Sequence, residues 1–116
     1  MQLLQPQEVE VFYLLPAIRR ELSIAMKAQG RSQKEIADLL GVTPAAVSQY
    51  LHEKRAKALP AEFQERITCA AKDVKDKESM IRETQQLVAH AKRSKLVCKL
   101  HAQHAEVPKG CEVCFK

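Results

Sequence analysis

At 116 residues the chain has room for one compact domain or two small ones. At that size folded proteins bury proportionally little surface and often lean on a metal, a disulfide or a partner subunit. The composition is that of a soluble globular protein: no apolar run approaches the ~20 residues that cross a bilayer, and the acids in MQLLQPQEVEVFYLLP argue against a signal peptide, which wants a basic start. A net charge of +5, shared between both halves, pulls weakly toward polyanions and does not by itself establish a nucleic-acid partner.

A cytoplasmic location is therefore expected. In a reducing cytosol four cysteines point to metal ligands or redox centres rather than disulfides. Residues 8–15 are short and apolar, and Pro16 suits the first turn of a new helix, where its missing N–H costs nothing. From there PAIRRELSIAMKAQG sets Ile18, Leu22, Ala25 and Met26 on one helical stripe, and Gly30 is a natural stop.

The most informative stretch is RSQKEIADLLGVTPAAVSQYLHEKRAK. Ser32 and Glu35 have the spacing of a capping box, which predicts a helix over 33–40 with Ile36, Leu39 and Leu40 available to a core. Gly41 ends it; Thr43 caps a second helix whose first position is Pro44, leaving only Gly41 and Val42 as the link. Two short helices joined this way form a helix-turn-helix. Small Ala37 permits close approach, Val47 and Leu51 turn inward, and Ala45, Ser48, Gln49 and His52 remain outward. That uncharged hydrogen-bonding face suits base edges in a major groove.

On those residues the run SQKEIADLLGVTPAAVSQYL resembles the helix-turn-helix of the Cro and phage-repressor (XRE) family. The family pattern has Ser-Gln at the start of the first helix, Ala in its middle, Gly-Val at the turn and Val-Ser near the start of the recognition helix, and each position is matched. The resemblance implies a double-stranded DNA partner, with Gln33 as a phosphate or base-edge contact and Thr43, Ala45, Ser48 and Gln49 as readers; Pro44 at the start of the same helix and His52 on its outward face are counted with them. Lys54, Arg55 and Lys57, just beyond, are placed to meet phosphates; three bases in solvent are the plainer alternative.

The second half opens at Pro60. PAEFQERITCAAKDV carries Phe63, Ile67, Ala70 and Val74 on one face with Cys69 beside it. After the charged break KDVKDKES, a longer helix from about Met80 presents Met80, Ile81, Thr84, Leu87, Val88 and Ala91 as core or dimer contact, and its basic HAKRSK end is expected to be a solvated face. The expected fold is all-α: a helix-turn-helix DNA-binding domain over residues 1–58, and a small helical region over 59–116 for sensing and dimerisation, carrying a cysteine metal or cluster site.

In the tail, Cys98 and His101 are spaced C-x2-H, and Cys111 and Cys114 form C-x2-C after Gly110. Two-residue spacing turns both side chains toward one ion. Two ligand sets are open. Zinc takes Cys98, His101, Cys111 and Cys114 and leaves Cys69 as a buried thiol; an iron-sulfur cluster (4Fe-4S or 2Fe-2S) takes Cys69, Cys98, Cys111 and Cys114. YLLPAIRREL, the helix-turn-helix and VCKLHAQHAEVPKGCEVC together resemble a group of small archaeal and bacterial regulators thought to bind an iron-sulfur cluster, which implies the four-cysteine set. A related helix-turn-helix is fused to thiamine-phosphate synthase domains elsewhere; no such domain is present here.

The expected function is a homodimeric, redox- or iron-responsive transcriptional regulator. A zinc-stapled regulator without sensing and an antitoxin-like protein-binding module are the rivals. No nucleophile, base and orienter are grouped and no phosphate-binding glycine loop occurs, so neither enzymatic activity nor a small-molecule substrate is expected, and no membrane role.

Overall fold

The computed structural model describes residues 5–52, 59–96 and 99, and every regular element among them is helical. In chain order these are α1 (Pro6–Val9), a π turn (Glu10–Leu14), α2 (Leu15–Ala28), α3 (Gln33–Leu40), α4 (Pro44–His52), α5 (Ala61–Asp73) and α6 (Lys77–Arg93). None of these helices is long and apolar enough to cross a membrane.

Pro16 does lie in the first turn of α2, but the helix does not begin afresh there. Leu14 and Leu15 keep right-handed helical backbone, and the Leu15 N–H donates to the Glu10 carbonyl five residues back. Proline has no N–H for the carbonyl four residues earlier, and its ring crowds that carbonyl; a wider π turn just ahead lets the helix continue past it.

The stripe on α2 is the centre of the molecule. Ile18, Leu22 and Met26 are fully buried, and α2 packs against α3, α4, α5 and α6. Phe63, Ile67, Ala70 and Val74 answer from the α5 side, all buried as their helical spacing predicts. One apolar cluster runs from Val9 through Ile36 and Val47 to Leu87 and Leu96, so the stretches on either side of residue 58 share a core.

The α5–α6 connection is tighter than the run KDVKDKES implies. The break is confined to residues 74–76, and α6 begins at Lys77 under a reciprocal capping box. Asp76 Oδ1 accepts the Ser79 N–H at 2.8 Å, and Ser79 Oγ accepts the Asp76 N–H at 2.9 Å. Met80, Leu87 and Ala91 are buried and Thr84 and Val88 half-buried, but Ile81 is 64 % exposed, so of the two places expected for this stripe it does not take the core one. Positions 80, 84, 87 and 91 already define the seam, and residue 81 lies ~100° round the helix from it. At the basic end of α6, Lys92 is more than a solvated charge: its Nζ pairs with Glu10 Oε1 at 3.0 Å, joining α6 to the π turn.

Truncating the central stripe is costly. Leu22→Ala lowers unfolding stability by about 2–5 kcal/mol in urea titration, whereas Ile81→Ala stays within about 0.5 kcal/mol. The Asp76 cap gives an acid signature. The Ser79 backbone N–H, and then its hydroxyl, hold the Asp76 carboxyl below the usual carboxylate range. Such a group adds stability that is present above its unfolded value and lost as pH falls through its lower folded value. The Tm difference between the protein and Asp76→Asn is therefore expected to be open at pH 7 and to close as pH drops below about 4.

Candidate nucleic-acid interface

Both turns of the helix-turn-helix are built from local signals. Gly30 (φ +93°) donates its N–H to the Lys27 carbonyl at 3.0 Å and Arg31 donates to Met26 at 3.1 Å, closing α2 in a Schellman turn. Ser32 then caps α3, its Oγ accepting the Glu35 N–H at 3.1 Å. The reciprocal half of the expected capping box does not form: the Glu35 carboxylate is exposed, and Ser32 alone does the capping.

The turn that matters most is at Gly41. With φ +71° it lies in the left-handed region that a β-carbon disfavours, and Val42 donates to the Ala37 carbonyl at 3.0 Å to complete the second Schellman turn. Thr43 Oγ1 accepts the Ala46 N–H at 3.1 Å and starts α4, with Pro44 in its first position. Ala37 is 1 % exposed and Val47 is fully buried. A larger side chain at residue 37 would push the two helices apart.

The outward face of α4 is as its spacing requires. Ala45, Gln49 and His52 are exposed at steps of four and three, opposite buried Val47 and half-buried Leu51. Thr43 and Pro44 are exposed at its N-terminal end, and Ser48 is half-buried beside the stripe. The Thr43 hydroxyl, already accepting the cap bond, retains its proton to donate outward. Gln33 is half-buried in the first position of α3. Lys54, Arg55 and Lys57 lie outside the described residues.

Of the cysteine set, Cys98, Cys111 and Cys114, together with His101, also lie outside the described residues. Cys69 is described: a free, exposed thiol on α5. This corrects the buried thiol expected in the zinc arrangement. Residues 67 and 70 take the buried positions, which turns residue 69 out of the α5 stripe. Cys69 lines an open groove of about 610 Å³ between α5 and α6, shared with Glu62, Arg66, Asp73, Glu83 and His90. The His90 ring stacks on buried Phe63 at 6.0 Å and 19°. Among the described residues no three His, Cys, Asp or Glu side chains are grouped to hold a metal ion.

Sequence spacing alone did not single out the groove or its His90. Helical periodicity marks which face of one helix is buried, and the groove arises from how two helices lie together.

The helix-turn-helix family model matches residues 22–60, from within α2 through α3 and α4 to the residue before α5. Those residues form a helix-turn-helix domain of the XRE family, a DNA-binding regulatory module that is typically not an enzyme. The match covers about a third of the chain. No curated protein and no solved structure matches.

Proposed function

We propose that the chain is a homodimeric transcriptional regulator that binds double-stranded DNA through α3 and α4 and senses redox or iron status through its cysteines. The observation that carries the DNA-binding part is the α4 face: Ala45, Gln49 and His52 lie exposed on one stripe of a helix whose opposite side is anchored by Val47. On such a face Gln49 offers the paired donor and acceptor that match an adenine edge, while Ala45 and Ser48 are small enough to let the helix sit deep in the groove. Gln33 and the bases Lys54 and Arg55 supply backbone contacts that fix register without reading sequence. Two copies, related by a two-fold axis, would place their recognition helices about 34–36 Å apart along one face of the duplex.

The sensing part rests on the donor set. Cys69 fits the role of fourth ligand, because its thiol is exposed over the α5–α6 groove and is not buried in the core. With Cys98, Cys111 and Cys114 it makes an all-thiolate set of the kind iron-sulfur clusters take, and the cluster would supply reversible one-electron chemistry. The protein's own part is mechanical. Cys69 stands on the helix whose buried face packs directly on α2, so a ligand tied to it bears on the element that carries the helix-turn-helix.

Two measurements test the two parts. A duplex recovered by selection from a random pool is bound by the chain with an affinity that falls steeply with salt. Gln49→Ala removes about 1–3 kcal/mol of its preference over scrambled DNA and leaves the salt slope unchanged. Anaerobically purified protein is brown and contains iron; Cys69→Ser loses the chromophore and His101→Ala keeps it. Colourless protein with stoichiometric zinc, lost with His101→Ala, would establish the zinc arrangement instead.

A further inference from the structure

Arg31 stands directly before the capping Ser32 and two residues before Gln33, where a basic side chain in a DNA-binding domain would be a candidate phosphate contact. The structure uses it otherwise. Arg31 is half-buried; its Nη2 donates to the Val74 carbonyl at 2.5 Å, and its Nη1 lies 3.9 Å from Met26 Sδ. Val74 is the fully buried residue just past the end of α5, with extended backbone. With ψ at 120° its carbonyl is turned out of the α5 hydrogen-bond ladder, and the Arg31 guanidinium gives that carbonyl a charge-assisted partner.

The backbone of Arg31 is pinned as well, through its N–H to Met26. One residue thus holds the end of α2 by its main chain and the end of α5 by its side chain, and the next residue starts α3. The turn needs such a tie. The Schellman bonds hold Gly30, but Arg31 and Ser32 still lie between the two helices, so those bonds alone do not set the direction in which α3 leaves.

We propose that Arg31 is a positioning residue for DNA binding, a latch between the α2–α3 turn and the α5–α6 corner that fixes the placement of α3 and, through it, of α4. This rests on the DNA-binding role argued above. Without the latch, α3 samples placements in which Gln33 and the α4 face do not meet the duplex together. The apparent Kd then rises in inverse proportion to the fraction of molecules that remain competent.

The test is fluorescence anisotropy of the full chain on the selected duplex across a salt series, with Arg31→Met and Arg31→Lys, at a temperature where circular dichroism shows each variant folded. Arg31→Met keeps the stem and loses donor and charge. It is expected to bind about tenfold more weakly or worse, with the slope of log K against log salt unchanged. Arg31→Lys keeps a charge and a donor but not the planar fork, and is expected to fall between the two. Unchanged affinity in folded Arg31→Met would make the residue purely structural and overturn the proposal. So would a salt slope reduced by about one, the mark of a phosphate contact. If Arg31→Met does not fold, Arg31→Lys decides: full wild-type affinity overturns the latch, because a lysine serves a phosphate, whereas weakened binding at unchanged slope supports it. Absence of salt-dependent binding by the wild-type chain overturns the DNA-binding role itself, and is seen before any variant is made.

Discussion

Everything in this molecule hangs on the buried stripe of α2. Ile18, Leu22 and Met26 are removed from solvent by helices on both sides in the sequence: α3 and α4 before residue 53, α5 and α6 after residue 60. Two short helices bury little by themselves, and burying three large side chains against four other helices contributes about 1.5–3 kcal/mol each. The same stripe therefore holds α4 in place and attaches the second half of the chain to it. Anything that displaces α5 is felt at α2.

Three smaller ties direct that packing. The Arg31 guanidinium on the Val74 carbonyl joins the α2–α3 turn to the end of α5, the Asp76–Ser79 box sets where α6 starts, and Lys92 on Glu10 joins α6 to the π turn. An ion pair with one half-exposed partner, such as Lys92–Glu10, contributes about 0–1 kcal/mol, so that tie selects an arrangement more than it stabilises it. The proposed DNA contact needs that selectivity, since side chains that read a duplex must reach several base edges at once.

The helix-turn-helix was legible because its signals are local. Ser32, Gly41, Thr43 and Pro44 each act on backbone groups within five residues, and the inward Val47 follows from helical spacing alone. The α5 stripe was legible for the same reason. What escaped is non-local. The Arg31–Val74 bond spans forty-three positions, and nothing at either residue announces it. Ile81 has the chemistry of a core residue, yet its neighbour Met80 occupies the seam. The Cys69 thiol sits outside the stripe, which periodicity suggested, but the groove it lines depends on the relative placement of α5 and α6. The π turn ahead of Pro16 shows a helix absorbing a proline that local rules treat as a start.

The central claim is that this chain meets DNA with the start of α3 and the outward face of α4. Amide NMR of the folded chain titrated with the selected duplex tests it most directly. Shift changes are expected to be concentrated at Gln33, at Thr43 and along Ala45, Ser48, Gln49 and His52, with α6 little affected. Changes confined to α5 and α6, with the α4 face silent, would contradict it.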